Sequence, residues 1–380
     1  MPATKTALKS IIYAAFALPL AVLSVCPATA QQPAPGDPGY VRVQGQDGGL
    51  APPPVINTRA ALVDHREEMR GFIQRLATYA RQQKPNFIVV VRDAEELIIK
   101  RNLQDENIIS PARTFTRSVD AVVYDGVFLG HKVVGEAPPP ELQQQFLASI
   151  DRAKAAGLPV LTIDYATEPK SIDAVYKAAH ARGLTAFVAH HPTSQMTEIP
   201  PYPRRPNDEN SQNVLAMKDV KNFVYLSDPA AFGRQDQFAL KMHDTNFDLI
   251  IVDPFSGRDP LSKTAVETLK YKKLGARRLV FARLDIATAA SYRYYWKGDW
   301  GEGSPSFIAS PYPGDPDRYF VEYWNPAWQQ VISGGPESFI YGLIAQGYDG
   351  VLLEGMRNYL VFEGNVEIEQ EFAPLATTAN

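Results

Sequence analysis

The chain has 380 residues, 45% of them hydrophobic and 21% charged, with a formal charge of −4. That length allows two domains or one large barrel, the composition excludes a disordered chain, and the charge gives no reason to expect a nucleic-acid partner. The single cysteine, Cys26, excludes a disulfide framework, a cysteine zinc site and an iron–sulfur cluster.

Residues 1–30 read as a signal peptide. Lys5 and Lys9 precede an apolar stretch from Ile11 to Val25, and Ala28-Thr29-Ala30 supplies the small residues of a cleavage site. Cleavage after Ala30 is expected to give a secreted or periplasmic protein with no membrane span in the mature chain. Residues 31–57 form a Pro-, Gly- and Gln-rich lead-in expected to be flexible. The folded domain is expected over 58–372, with a tail at 373–380. A second breaker cluster, 198–212, holds Pro200, Pro201, Pro203 and Pro206 and joins two unequal pieces of that domain.

Eight short β-branched runs follow in order: Phe87–Val91, Ala121–Tyr124, Val160–Ile163, Ala186–Ala189, Phe223–Leu226, Leu249–Val252, Leu279–Ala282 and Val351–Leu353. Nearly all are continuous apolar runs, as expected of parallel strands buried on both faces. Leu142, Phe146, Ile150 and Ala153 recur at helical spacing and predict a helix over Glu141–Ala156, with another over Ser171–Arg182. Gly157, Gly183 and Gly275 read as helix stops. Eight strands alternating with helices predict an α/β chain folded as a (β/α)8 TIM barrel, with a doubly wound sheet as the alternative.

Barrel active sites lie at the C-terminal strand ends. Asp93, Asp125, Asp164, Asp228, Asp253, Asp285 and Glu354 each follow a strand within about two residues, and together predict a crowded acidic mouth. Any one of them alone reads as a helix cap or surface carboxylate. The connection between the seventh and eighth strands carries Tyr292, Tyr294, Tyr295, Trp296, Trp300, Phe307, Tyr312, Tyr319, Phe320, Tyr323, Trp324 and Trp328. Rings beside carboxylates suit a sugar-binding cleft; the alternative is a satellite core under the loop. No nucleophile elbow, phosphate loop, dinucleotide fingerprint or zinc-protease motif occurs. His190-His191 at the end of the fourth strand offers one metal ligand, so neither a metal nor a cofactor is expected.

Several segments resemble glycoside hydrolase family 114, the group of endo-α-1,4-polygalactosaminidases and related extracellular glycosidases. Phe247-Asp248-Leu249-Ile250-Ile251-Val252-Asp253, Tyr292-Arg293-Tyr294-Tyr295-Trp296, Val321-Glu322-Tyr323-Trp324-Asn325-Pro326 and Gly347-Tyr348-Asp349-Gly350-Val351-Leu352-Leu353-Glu354 are similar to the family's first half. Asp93-Ala94-Glu95-Glu96-Leu97, Val119 to Phe128, and Leu158-Pro159-Val160-Leu161-Thr162-Ile163-Asp164-Tyr165 are similar to its second half. The halves stand in reversed order, so the resemblance implies a barrel circularly permuted by half, joined through 198–212. It also implies two catalytic carboxylates, Glu354 as nucleophile or base and Asp125 as acid/base, with the division of roles open. The family carries Asp at the first position and Glu at the second, so both lengths are exchanged. Around the pair, Asp93, Asp164, Tyr165, Asp253, Arg283, Asp285, Tyr292, Arg293, Trp296, Tyr323 and Trp324 are candidate substrate-binding residues.

The leading expectation is a hydrolase of an extracellular polysaccharide or oligosaccharide; a galactosamine-containing polymer would suit an acidic mouth. The alternatives are a carbohydrate-binding barrel without catalysis and a metal-assisted enzyme using the same acids. An open cleft walled by Trp296 and Tyr323 would favour hydrolysis. An arginine, Arg92 or Arg283, pairing with both acids would favour binding.

Overall fold

Eight parallel strands order the chain, and they run around a barrel in the order in which they occur. They are β1 Ile88–Arg92, β2 Ala121–Asp125, β3 Val160–Tyr165, β4 Thr185–Ala189, β5 Phe223–Leu226, β6 Leu249–Val252, β7 Leu279–Asp285 and β8 Gly350–Glu354. The computed structural model describes residues 63–377, apart from 103, 104 and 365. The expected signal peptide and lead-in lie outside the described residues. The described residues belong to one compact unit that includes both pieces on either side of the Pro-rich joint.

β8 returns to pair with β1 in parallel, Ile88 opposite Gly350, and with β7 on its other side, Asp285 opposite Glu354. Gly350 has to be small here, because a Cβ would meet the Ile88 carbonyl oxygen at 2.5 Å. Ladder hydrogen bonds link every neighbouring pair of strands except β4 and β5. The barrel is therefore nearly closed, with one seam. The same seam lacks a helix: the β4–β5 connection, 190–222, holds only two short 3-10 turns.

Strand positions follow the predicted runs to within one or two residues at most ends, because buried apolar runs leave the backbone few alternatives to the ladder. The main extension is β7, three residues longer than expected. The expected helices form over Pro140–Ala155 and Pro169–Ala181, each opened by a proline at its start and closed before Gly157 and Gly183 in left-handed conformation. Gly275 stops no helix. The nearest one, Lys263–Leu269, has already ended, and Gly275 turns the segment that brings Tyr271 opposite Arg277. Helix His65–Gln83 precedes β1 and buries Phe72, Ile73, Leu76 and Ala80.

The long β7–β8 connection is a folded layer of its own. Three antiparallel strands, Thr288–Ala290, Ile308–Tyr312 and Asp315–Val321, lead into helices Pro326–Ser333 and Phe339–Gln346. Most of its aromatics pack inward. Trp328 is fully buried and donates its indole N–H to the Ile286 carbonyl at 2.8 Å, and Phe307 packs against it.

The Pro-rich joint is pinned by a buried ion pair. Lys272 and Asp248 are both fully buried, with Nζ 2.5 Å from Oδ1. The ammonium also donates to the Gln212 carbonyl at 2.9 Å, and Asn210 donates to both Asp248 oxygens. Removing the ammonium leaves a buried carboxylate unpaired, which costs about 3–5 kcal/mol. Lys272→Ala is therefore expected to lose stability of that order in urea denaturation. Lys272→Met combined with Asp248→Asn is expected to recover much of it.

Candidate active site

The C-terminal ends of β1, β2, β3, β7 and β8 deliver charged and phenolic side chains to one cleft, with Tyr225 reaching it from β5. Arg92, the last residue of β1, occupies its centre. Its Nε donates to Asp125 Oδ1 at 2.9 Å, and its Nη2 bonds the second Asp125 oxygen. Its Nη1 donates to Glu354 Oε1 at 2.7 Å. Nη2 also reaches Thr193 Oγ1 at 2.9 Å and Tyr165 Oη at 3.2 Å. One guanidinium thus joins both candidate catalytic carboxylates.

Glu354 is held from three directions. Arg283 donates to Oε2 from Nε at 3.0 Å and Nη2 at 2.8 Å, while Tyr225 donates to Oε1 at 2.8 Å. Both guanidinium groups lie over the Tyr225 ring, 5.5 and 5.7 Å from its centroid. Burial alone would raise the Glu354 carboxyl, but Arg283, then Arg92, outweigh it and hold the group at about 2. Glu354 is therefore ionised across the working pH range. Gly355 follows in left-handed conformation at φ 87°, where a Cβ would meet Asp285 Oδ1 at 2.5 Å.

Asp125 is an acceptor on every side, since Tyr165 adds a hydroxyl donor at 2.5 Å to those of Arg92. Asp93 differs. It adopts a left-handed backbone, φ 56°, rare for a residue with a Cβ and a recurrent form of strain at functional sites. Burial, then the charges of Asp125 and Glu95, push its carboxyl well above the usual range, although 29% of the side chain still meets solvent. Burial likewise raises Glu95 to about 7, against the opposing pull of Arg357.

The other arginines neutralise the expected acidic mouth. Arg293 clamps Asp253 with bonds of 2.9 and 2.6 Å, and Arg318, from the antiparallel layer, bonds Asp285 and lies 4.1 Å from the Tyr312 ring centroid. In the inner cavity, about 300 Å³, Arg92, Arg283, Arg318 and Arg357 face Asp93, Asp125, Asp285, Glu354 and Glu371. A neighbouring cavity of about 400 Å³ shares Arg283, Asp285 and Arg318 and adds Asp253, Tyr292, Arg293 and Tyr295. On the other side, Asp93, Asp125 and Arg357 lead into a space of about 310 Å³. Glu95, His131 and Arg357 connect that space to an outer cavity of about 940 Å³. Adjoining cavities thus share lining residues along the mouth of the barrel.

Of the sequence-predicted site residues, Glu354, Asp125, Asp93, Tyr165, Asp253, Arg283, Asp285, Tyr292 and Arg293 line these cavities. Four do not. Asp164 alternates away from Tyr165 on β3 and is fully buried, where it accepts the backbone N–H groups of Phe128 and Leu129 at 2.7 and 3.0 Å. It organises a loop instead of meeting substrate, and burial raises its carboxyl to about 7. Tyr323 is fully buried with its hydroxyl on the His65 carbonyl, and Trp324 packs on His65 and Phe362. Trp296 stacks on Tyr319. Of the expected aromatic walls, Tyr323 is core and Trp296 and Trp324 pack half-buried against it; Tyr292, Tyr295, Tyr312 and Phe339 are rings of that connection that line these cavities. Asp228 caps the turn starting at Pro229. The expected tail is also part of the mouth. Ala376 exchanges backbone hydrogen bonds with Lys132 and Val134, and Phe372, Ala373 and Leu375 line the inner cavity.

The sequence reading did not select Arg318, Arg357, Tyr225, Thr193 or Glu95, and weighed Arg92 only as a possible obstruction. A charged residue closing an apolar strand was the available signal for Arg92. Nothing local marked Arg318 or Thr193, which reach the site through long connections.

No protein-family model matches the chain. A stretch of 113 residues is 32% identical to an uncharacterized protein of Deinococcus radiodurans, covering 30% of this chain and 34% of that one. A stretch of 149 residues is 30% identical to an uncharacterized protein of Methanocaldococcus jannaschii, covering 39% and 40%. A third, of 125 residues, is 24% identical to an uncharacterized protein of Thermotoga maritima, covering 33% and 37%. The matches therefore span between about a third and two-fifths of these curated relatives.

The Glu354 carboxyl is lower in the folded chain than in the unfolded one, where it titrates near 4.5. Between about 4.5 and about 2 the unfolded state binds the extra proton, so stability rises with pH through that window and is lost as pH falls. The side chain is 9% exposed, and the linkage amounts to roughly 3 kcal/mol. Glu354→Gln is expected to flatten the melting temperature between pH 2 and 4.5. An acid limb unchanged in the variant would show that other carboxylates carry it.

Proposed function

We propose that this barrel is a glycoside hydrolase acting on a polysaccharide in the groove above Glu354, and a half-barrel circular permutant of an extracellular glycosidase. The observation that carries the enzymatic reading is the opposition of two carboxyl groups in one cleft. Two arginines hold the Glu354 carboxyl low, while burial and the charges of Asp125 and Glu95 raise the Asp93 carboxyl well above its usual range. Environments that push two carboxyl groups apart in this way define an acid and a nucleophile. A carboxylate near 2 is a weak proton acceptor but a competent nucleophile at the anomeric carbon, which favours retention over inversion for Glu354. Asp93 then protonates the leaving oxygen, a role the sequence resemblance had implied for Asp125. Asp125, bonded by Arg92 and Tyr165, orients the arginine.

A row of adjoining cavities, with His131 and Arg357 lining all three, supports a polymer as substrate. The interleaved arginines remove the electrostatic case for a cationic amino sugar, so the substrate class proposed is polysaccharide without a preferred charge. One fact favours permutation: the seam between β4 and β5 lacks both ladder and helix, as a former chain end would. The signal-peptide pattern of residues 1–30 supports export.

One observation favours a second reading. Arg92 bonds both Asp125 and Glu354 and fills the space between them, the arrangement expected of a saccharide-binding barrel without hydrolysis.

The deciding measurement is release of reducing ends from a panel of extracellular polysaccharides, including α-1,4-linked galactosamine polymers. Glu354→Gln and Asp93→Asn are each expected to lower the rate by about 10²–10⁴. Activity in the unsubstituted protein is expected to fall on the alkaline side as Asp93 ionises. Release that survives Glu354→Gln would overturn the site. No release, with retention on one polymer, would establish the binding protein.

A further inference from the structure

β4 ends at Ala189, and the next two residues are His190 and His191, whose rings lie 4.4 Å apart at 47°. Eight residues on, Glu198 turns back so that its Oε1 is 3.1 Å from His190 Nε2. One ring nitrogen from each histidine and one Glu198 oxygen all lie within 4.8 Å of one another. We infer that His190, His191 and Glu198 bind one divalent transition-metal ion of the zinc type, at the seam of the barrel and beside the groove.

The donor set carries the chemistry. Two imidazoles and a carboxylate suit zinc and its first-row neighbours, whereas calcium and magnesium take oxygen ligands. A tetrahedral ion with ligands at ~2.0–2.1 Å spaces them about 3.3 Å apart, so the 3.1 Å separation of His190 and Glu198 already has the length of one edge. His191 and Glu198 are exposed, and their side chains are free to rotate the remaining distance. Glu198 forms its ion pair with His190 and with no lysine or arginine among the described residues. Three protein ligands leave a fourth position for water or a ligand oxygen.

The placement gives the ion a task. Pro192, Thr193 and Ser194, which lie between the ligands in sequence, line the inner cavity, and Thr193 accepts a hydrogen bond from Arg92. Met196 is fully buried, and its carbonyl accepts the Ser227 N–H just beyond β5 at 2.8 Å. The 190–198 loop therefore crosses from the end of β4 to the end of β5, where ladder hydrogen bonds are missing. An ion held at both ends of that loop fastens the seam and fixes the wall that carries Thr193. This inference stands apart from the hydrolytic reading.

The test uses the untagged full chain, stripped with a chelator and titrated with Zn²⁺ by calorimetry and with Co²⁺ by absorption. One ion per chain is expected, with the strong visible bands of tetrahedral cobalt and a higher melting temperature with zinc. His191→Ala and Glu198→Gln, both at exposed positions, are each expected to weaken binding on the order of tenfold or more, without changing the melting temperature of the metal-free protein. The inference is overturned by absence of saturable binding, by stoichiometric binding that both variants retain, or by Ca²⁺ or Mg²⁺ binding as tightly as Zn²⁺.

Discussion

A guanidinium taken out of water loses several kcal/mol of hydration, and Arg92 recovers it only through the acceptors arranged around it. Those acceptors are Asp125, Glu354, Thr193 and Tyr165, contributed by β2, β8, the β4–β5 loop and β3. Glu354 in turn needs Arg283 and Tyr225, and Asp125 needs the Tyr165 hydroxyl. Removal of Arg92 would leave Asp125 with the Tyr165 hydroxyl alone, whereas Glu354 would keep Arg283 and Tyr225. The cluster thus constrains the strand ends to one level: Asp285 stands opposite Glu354, Arg92 opposite Val123, and Asp125 opposite Ile163. A slip of one residue in any of these ladders would turn a charged side chain out of the cleft and an apolar one into it.

The same constraint explains why the connections are long where they are. Eight parallel strands bring Arg92, Arg283, Asp125 and Glu354 together, but they leave Asp285 without an arginine and give Asp253 only a distant contact with Arg283 at 4.0 Å. The antiparallel layer after β7 supplies Arg318 to the first, and the turn after its first strand supplies Arg293 to the second. Folding that layer consumes most of its aromatic side chains in packing, Trp328 against Phe307 and Tyr295, Trp296 against Tyr319. Rings there hold arginines in place; few are left to hold a sugar.

The barrel strands were legible because each is a run of β-branched and apolar residues with no polar face to confuse its period. The acids at their ends were legible for the same reason, as the first charges after an apolar run. Orientation was less legible. Asp164 and Tyr165 are consecutive and both buried, and the pleat decides that Tyr165 faces the cleft while Asp164 faces the 128–129 backbone. Composition also misled on charge: counting acids at strand ends predicted an acidic mouth, because the compensating Arg318 and Arg357 arrive from a hairpin and a turn, where no periodicity announces them. The aromatic connection failed in the same way. A run of rings looks alike in a binding cleft and in a satellite core, and only the three-stranded layer beneath them distinguishes the two.

Hydrolysis in this cleft requires Arg92 to exchange partners, and the surrounding groups make that exchange physically feasible. When its contact with Glu354 is given up, Arg92 keeps Asp125 as countercharge and Thr193 and Tyr165 as neutral acceptors. Glu354 likewise retains Arg283 and Tyr225 if Arg92 swings toward Asp125, so its ionisation survives the move. Asp125 cannot release Arg92 as easily, because its remaining partner would be the Tyr165 hydroxyl. The asymmetry gives the movement a direction. In the hydrolytic reading proposed above, an entering saccharide would displace Arg92 from Glu354, the carboxylate that loses least, and leave that oxygen facing the incoming ring. In the binding reading Arg92 stays in place and meets the saccharide hydroxyls itself. The two readings therefore differ in the position of one guanidinium, and the loop from His190 to Glu198, which carries Thr193, is the element best placed to bias it.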